Sequence, residues 1–349
     1  MNILIVGGTL SHRGGVEQFC ERAEQALIHV GGHRVERIQS NTAYLRPRSL
    51  GGVWRCVKAL FRRRRKDWDC VWFQYVNLPD LVLLLVCRLF GYTILVTPHL
   101  GSNWASQSNA FLRGLGSKLL AVADGIALIS ATQAEELLLP ASIRKFQIKT
   151  FLPREFPARP GRHHRRAETL ALVHAGRLSE GKGSFLFLDV CAALKRSGHD
   201  FHARLIGSCD DPTERRIQAF LKQADLEDRV TRVAPLPEAE LLQALSHADV
   251  LVHLSDIDSF PLIVLEAIGC GVFPICKDLP GARLITRTYC GHLVAGPTAV
   301  EDVAGFLADT TPSELRATAA PAGERLTADY DWTRCVAAVE DAVRGVARP

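Results

Sequence analysis

Residues 7–16, with the sequence GGTLSHRGGV, could bind a phosphate group through backbone amides. The loop contains two glycine pairs, and Gly14 and Gly15 directly precede a segment of helical period. Glycines let amides approach a phosphate closely at a helix N-terminus, where the helix dipole favours anions. Because the spacing is not G-x-G-x-x-G, it gives only weak support to a nicotinamide or flavin site, and a plain tight turn is the alternative.

A second loop, residues 174–183, reads HAGRLSEGKG and follows an apolar strand-like run. Its glycines and Lys182 match the Walker pattern, but Gly183 stands where that pattern requires a magnesium-binding Ser or Thr. A P-loop nucleotidase is therefore disfavoured. Arg177 and Lys182 remain as a pair of cations suited to neutralising a diphosphate without a metal ion. A solvated charged turn is the alternative interpretation.

A third segment, residues 255–271, reads SDIDSFPLIVLEAIGCG and places Asp258 in a loop and Glu266 inside the next helix. An unpaired buried carboxylate is costly, so Glu266 needs a partner. That partner is a pair of ligand hydroxyls or, alternatively, backbone amides or a basic side chain. Because a proline lies near the start of this helix, we expect an anion site at its N-terminus, formed by Ser259, Phe260, Pro261 and Leu262.

Asp256 and Asp258 also form a D-x-D pair, which holds a metal ion in one class of transferases. Matches this short arise by chance. We prefer an interpretation without a metal ion, because Arg177 and Lys182 already supply positive charge.

Short apolar runs alternate with segments of helical period along both halves of the chain, which predicts parallel sheets covered by helices. Such sheets bind ligands beyond the carboxyl ends of their strands, where the three segments above lie. The fold class is therefore α/β, with two doubly wound domains. Strands are predicted at residues 3–6, 71–73, 92–97, 125–129, 147–151, 170–174, 202–206, 230–233, 250–254 and 272–276.

A proline-rich and basic segment without periodicity, residues 153–168, predicts a linker between the two domains. The N-terminal domain then spans residues 1–152 and the C-terminal domain residues 169–328. A length of 349 residues and a hydrophobic content of 47% exclude a disordered chain and suit two domains.

Cysteine usage and apolar segments favour a cytoplasmic protein. The ten cysteines form no CxxC pair and lie mostly in apolar runs, as expected of reduced thiols in a core. The N-terminal apolar segment is shorter than a signal-peptide core, and no run reaches the roughly 20 apolar residues of a membrane-spanning helix.

Charge differs between the two halves of the sequence. Residues 1–168 carry 24 Lys and Arg against 12 Asp and Glu, whereas residues 169–349 carry 18 against 25. Much of the excess lies beside apolar residues at helical spacing, which predicts a basic helix that docks on anionic lipid headgroups. An ordinary solvated helix end is the alternative, and the absence of a nucleic-acid motif disfavours nucleic acid. The docking residues are Arg62, Arg63, Arg64, Arg65 and Lys66.

The GGV of the first loop, HAGRLSEGKG and DSFPLIVLEAIGCG together resemble glycosyltransferase family 4, the retaining, nucleotide-sugar-dependent enzymes of GT-B fold. The resemblance spans both predicted domains, and the last two segments are specific in combination. It implies two Rossmann-like domains that face a central cleft. It also implies that a nucleoside diphosphate sugar binds mainly to the C-terminal domain and the acceptor to the N-terminal domain, with no cofactor or metal ion.

The resemblance implies roles for single residues. Arg177 and Lys182 match the family's ligands of the donor diphosphate, and Glu266 matches the residue that holds the donor ribose. Asp258 and Glu266 stand for the family's paired glutamates, with Asp258 one methylene shorter. His99, in VTPHLG, resembles the family's strand-end histidine, which faces the donor sugar. The expected catalytic residues are His99, Asp258 and Glu266, and the expected donor-binding residues are Gly14, Gly15, Arg177, Lys182, Ser259, Phe260, Pro261, Leu262 and Glu266.

The implied reaction is transfer of a sugar to a saccharide or a polyprenyl-diphosphate-linked saccharide in the synthesis of a bacterial surface polysaccharide. A nucleotide-sugar epimerase of GT-B fold and a non-catalytic nucleotide-sugar-binding protein are the alternatives. The protein would then be cytoplasmic, or peripheral on the inner face of the plasma membrane. The terminal residues 329–349 resemble the family's helix that returns toward the N-terminal domain.

Overall fold

The structure, a computed structural model, divides the chain into two compact units. Unit 1 contains Met1–Arg154 and Tyr330–Pro349, and unit 2 contains Glu155–Asp329. The predicted linker runs partly through residues 159–168, which lie outside the described residues. The structure describes residues 1–8, 14–40, 42, 50–99, 109–137, 139–158, 169–258 and 260–347.

Unit 1 contains a parallel six-stranded sheet in the order β2-β1-β3-β4-β5-β6. Its four central strands are nearly continuous runs of buried apolar residues, as expected where helices cover both faces. The strands are β1 (Asn2–Val6), β2 (Arg34–Ile38), β3 (Cys70–Tyr75), β4 (Ile94–Pro98), β5 (Gly125–Leu128) and β6 (Lys145–Gln147). The helices are α1 (Gly15–His29), α2 (Leu50–Arg62), α3 (Asp80–Leu89), α4 (Ala110–Leu120) and the short α5 (Gln133–Glu136).

Unit 2 repeats this architecture with the strand order β12-β11-β10-β7-β8-β9, again parallel. The α/β class with two doubly wound sheets is therefore confirmed. The strands are β7 (Leu170–Ala175), β8 (Phe201–Ile206), β9 (Val230–Val233), β10 (Val250–His253), β11 (Phe273–Lys277) and β12 (His292–Val294). The helices are α6 (Ser184–Arg196), α7 (Asp211–Gln223), α8 (Glu238–Ser246), α9 (Leu262–Gly269), α10 (Pro280–Thr288), α11 (Ala299–Asp309) and α12 (Pro312–Asp329).

The last helix, α13 (Trp332–Val346), packs within unit 1 against β4, β5, β6 and α1. The indole nitrogen of Trp332 donates a hydrogen bond of 2.9 Å to the carbonyl of Leu152. Nε2 of His33 donates a hydrogen bond of 2.7 Å to the side chain of Glu340, in the middle of the helix. These two hydrogen bonds hold the start and the middle of this helix on unit 1.

One predicted strand is displaced in the structure. The strand expected at residues 147–151 lies at Lys145–Gln147, and the residues after it run on as a buried extended segment. Phe151 in that segment packs edge-on against Phe19 of α1, with ring centroids 5.8 Å apart. Its apolar character therefore reflects aromatic packing and not strand pairing.

The structure of the basic run, which we define as residues 62–66, differs from the predicted basic helix. Helix α2 ends at Arg62, and Arg65–Asp67 form a separate short 3-10 turn, so most of the run lies beyond the helix. Arg63 is also bound to Glu36 at 2.8 Å, which removes it from the exposed cations. In the described part of the chain, no helix is both long and apolar enough to cross a membrane. All ten cysteines are free thiols, and nine of them are buried.

Candidate functional site

The carboxyl ends of β7 and β8 carry loops that touch each other. Gly207, directly after β8, has a φ of +146°, and a Cβ atom there would lie 2.9 Å from the carbonyl carbon of Gly176. Leu178 donates a backbone hydrogen bond of 2.8 Å to Ser208 across the same two loops. A side chain at Gly207 would therefore separate the loop that contains Arg177 from its neighbour.

The loop after β7 also packs against the loop after β10. Gly183 caps α6 with a φ of +76°, and a Cβ atom there would lie 2.5 Å from the carbonyl carbon of Leu254. The amide of Asp256 donates to the carbonyl of Gly181 at 2.9 Å. The glycine that breaks the Walker pattern is thus required by backbone packing between two loops of the site.

These contacts bring Lys182 to Asp258. The Lys182 ammonium forms an ion pair with one carboxylate oxygen of Asp258, and Nε2 of His253 donates to the other at 2.9 Å. Burial by itself would raise the pKa of Asp258, but the hydrogen bond from His253 and the charge of Lys182 outweigh burial and hold the pKa well below its usual range. Asp258 is therefore ionised, with a donor on each oxygen.

The D-x-D carboxylates have different partners. Asp256 pairs with Lys277 of β11, whereas Asp258 pairs with Lys182 and His253. Within the described residues, no group of three His, Cys, Asp or Glu side chains is arranged to hold a metal ion.

His174, inside β7, holds the same region together. Its Nδ1 donates to the carbonyl of Val252 at 3.0 Å, and its Nε2 accepts from the hydroxyl of Ser184 at 3.1 Å. Burial lowers the pKa of His174 to about 4, so the ring is neutral. His174 thus joins β10 to the first turn of α6.

The remaining predicted residues of unit 2 lie in the loop after β7, just before α9 or within α9. Glu266 is buried in the second turn of α9, and Arg177 is exposed just after β7. Pro261 directly precedes α9, and Leu262 is its first residue. Phe260 is partly buried, and Ser259 lies outside the described residues.

In unit 1, His99 directly follows β4. Its Nε2 donates a 2.9 Å hydrogen bond to the side-chain oxygen of Gln74, which is fully buried in β3. A Cβ atom at Gly7, after β1, would lie 2.8 Å from Cγ of Gln74. Burial lowers the pKa of His99 to about 3, so the ring is neutral at physiological pH. The ends of β1, β3 and β4 thus meet around Gln74.

The predicted anion site at the start of α1 already has a carboxylate. The amide of Gly14 donates to the side chain of Glu17 at 3.0 Å, and Gly15 is the first residue of the helix. The Gly14 amide is therefore engaged within the helix's own first turn.

Sequence reasoning missed His253 and Gln74. Both are polar residues in otherwise apolar buried strands, and both lie at or next to the carboxyl end of the strand. That position is the signal that could have identified them, because ligands bind at this edge of a parallel sheet.

Residues 159–324 match the family model described as "Glycosyl transferases group 1". The D-inositol 3-phosphate glycosyltransferase of Paenarthrobacter aurescens is 31% identical over 134 residues, covering 38% of this chain and 33% of that protein. The GDP-mannose:cellobiosyl-diphosphopolyprenol alpha-mannosyltransferase of Komagataeibacter xylinus is 26% identical, covering 48% of this chain and 43% of that protein. The chain thus spans less than half the length of these curated relatives.

Among solved structures, HepE of Anabaena in complex with UDP and glucose is similar over 99% of this chain and 100% of that chain. The TM-score is 0.76 at 14% sequence identity. This similarity extends through both units and shows the GT-B fold.

Proposed function

Because residues 159–324 match the family model of the group 1 glycosyl transferases, we propose that this chain transfers a sugar from a nucleoside diphosphate sugar to a saccharide acceptor. The observation that carries the proposal is the joining of the loops after β7 and β10, which places Lys182, Asp258 and His253 in one network within the matched region. A retaining glycosyltransferase needs a cation for the leaving diphosphate and groups that hold the donor sugar, and this region offers both.

In this proposal the donor diphosphate binds to Arg177 and Lys182. Both cations follow β7, at the carboxyl edge of the sheet where α/β proteins bind ligands. Negative charge grows on the leaving diphosphate in the transition state, and fixed cations stabilise it without reorganisation. No metal ion is needed in this scheme, since the two cations and the amides near the start of α9 supply the positive charge.

The carboxylates have separate roles. Glu266 binds hydroxyl groups of the donor ribose, and Asp258 meets the donor sugar. Asp258 is ionised and held by His253, so it can accept hydrogen bonds from sugar hydroxyls in a fixed orientation.

His99 orients the sugar and is not a nucleophile. Because its Nε2 donates to Gln74 and the ring is neutral, Nδ1 has a lone pair that can accept a hydrogen bond from a sugar hydroxyl. A neutral ring also adds no positive charge beside the anomeric carbon.

The acceptor that we propose is a saccharide carried on a polyprenyl diphosphate, used in the synthesis of a bacterial surface polysaccharide. The name of the Komagataeibacter xylinus relative specifies such an acceptor for that protein. The exposed cations Arg62, Arg64, Arg65 and Lys66 would bring the protein to an anionic membrane from the cytoplasmic side.

The test begins with thermal shift against a panel of UDP- and GDP-sugars, followed by transfer and hydrolysis assays with the sugar that stabilises the protein. We expect Arg177→Ala and Lys182→Ala each to weaken donor binding by about 10- to 100-fold, as for loss of a charge-assisted hydrogen bond. Lys222→Ala, an exposed lysine at the end of α7, is the control and should change nothing.

Two results would contradict the proposal. The first is unchanged turnover in the Arg177→Ala and Lys182→Ala double variant. The second is activity that disappears with a chelator and returns with manganese. An epimerised donor without transfer to any added acceptor would favour the epimerase.

A further inference from the structure

Helix α2 has two apolar stripes, and only one of them packs on the sheet. Gly52, Cys56 and Leu60 are buried, whereas Trp54 and Phe61 are 68% and 75% exposed. The exposed pair and Leu50, which is also exposed, recur at spacings of four and seven residues, so these side chains share a second helical face. A helix that only covers a core has no need of this second stripe.

The exposed stripe continues onto α3 and α4. The ring of Phe61 contacts that of Phe90 at the end of α3, with centroids 5.8 Å apart. Next to Phe90, Leu89 is 83% exposed, and Val82 on the same helix is 62% exposed. Helix α4 packs against α3 and exposes Phe111. We call the exposed apolar residues of these three helices the apolar face: Leu50, Trp54, Phe61, Val82, Leu85, Leu89, Phe111 and Leu115.

Charge around the apolar face is almost entirely positive. Between residues 50 and 124 the sequence has ten Lys and Arg but only four acidic residues. Of these four, Asp80 is buried and Asp124 pairs with Arg88 at 3.3 Å. Arg55, Lys58 and Arg62 are exposed on α2, one helical step from the apolar stripe. Exposed apolar patches mark interaction sites, and cations beside such a patch favour an anionic lipid surface.

We propose that the apolar face of α2, α3 and α4 inserts into the headgroup region of an anionic lipid bilayer. Insertion differs from the electrostatic attraction of the basic run, because it buries apolar side chains and persists when salt screens the charges. This inference rests on the proposed function in one respect: insertion would bring the protein to the lipid-linked acceptor that we propose for it.

The test is co-sedimentation of the full chain with vesicles of phosphatidylglycerol and phosphatidylcholine, or of phosphatidylcholine alone, at low and high salt. The triple variant Trp54→Ala, Phe61→Ala, Leu89→Ala should bind the anionic vesicles at least about tenfold more weakly at both salt concentrations. Ile28→Ala with Val30→Ala is the control, because these less exposed apolar residues lie at the end of α1. The control should bind like the unmodified chain.

A second variant separates charge from insertion. Arg62→Gln, Arg64→Gln and Lys66→Gln should weaken binding at low salt but leave the binding that remains at high salt unchanged. Trp54 supplies a direct readout: vesicles should shift fluorescence to shorter wavelength in the unmodified chain, and the shift should be smaller in Trp54→Phe.

Equal vesicle binding by the triple variant and the unmodified chain, with the fold confirmed by circular dichroism, would overturn the proposal. The proposal would also fail if sedimentation velocity shows that the unmodified chain is a dimer and the triple variant a monomer, while both bind vesicles equally. The apolar face would then be an interface between two copies of the chain. Neither readout uses a nucleotide sugar. Failure here would therefore leave the donor-induced thermal shift intact, and failure of sugar transfer would leave vesicle binding intact.

Discussion

Gly183→Ala tests whether contact between two loops builds the proposed donor site. Gly183 has a φ of +76°, where an L-residue costs about 1–2 kcal/mol. A Cβ atom there would also lie 2.5 Å from the carbonyl carbon of Leu254 and 3.0 Å from its Cα. These neighbours are backbone atoms, so they move only if a whole loop shifts, and such overpacking adds about 1–3 kcal/mol.

Helix α6 also provides the matched control for this substitution. Gly198, just beyond its other end, has a φ of +78°, but a Cβ atom there would meet nothing within 4 Å. Gly198→Ala should therefore cost only the backbone term of about 1–2 kcal/mol. We expect Gly183→Ala to cost about 2–5 kcal/mol. The difference between the two variants isolates the loop contact.

Equilibrium unfolding in urea measures both costs, and titration with UDP and GDP measures the effect on the site. Gly183→Ala should weaken binding of the nucleotide that the unmodified chain prefers, because Lys182 is the preceding residue, whereas Gly198→Ala should not. Equal destabilisation by the two substitutions, or unchanged nucleotide binding in Gly183→Ala, would refute the idea that contact with Leu254 positions Lys182.

Two further predictions concern histidines. The effects of His253→Leu and Asp258→Ala on the free energy of unfolding should be non-additive by about 1.5–3 kcal/mol. His253→Gln keeps a hydrogen-bond donor and should retain most of this coupling. Additivity within about 0.5 kcal/mol would contradict the hydrogen bond. The pKa values of His99 and His174, about 3 and about 4, lie below the unfolded value of about 6.5, so the unfolded chain binds more protons and stability falls as pH drops below about 6.5. Each histidine contributes about 1.4 kcal/mol per pH unit down to its folded pKa; His99→Asn should reduce the slope by that amount in urea unfolding between pH 6 and 4.5, and an unchanged slope would count against a buried neutral ring.

The sequence predicted those elements whose stability comes from a continuous apolar pattern. The strands predicted at residues 230–233 and 250–254 lie at Val230–Val233 and Val250–His253. Strand β2, with the sequence RVERI, was not predicted, because it is a polar edge strand that pairs on one side only. Apolar alternation is weak in such a strand, so pairing with β1 and not pattern determines its conformation.

The locations of the candidate site residues could be predicted from the rule that ligands bind where parallel strands end. Which of these side chains contact each other could not be predicted. Lys182 and Asp258 are separated by 76 positions in the sequence, and charge alone offers each of them several partners. Gly183 determines this pairing. Only glycine at this position lets the loop after β7 pack against the backbone of Leu254, and that contact brings Lys182 to Asp258. The sequence therefore contained the residue that causes the pairing: Gly183, which replaces the Ser or Thr at the end of a Walker pattern. The replacement could be understood only once the opposing backbone was known.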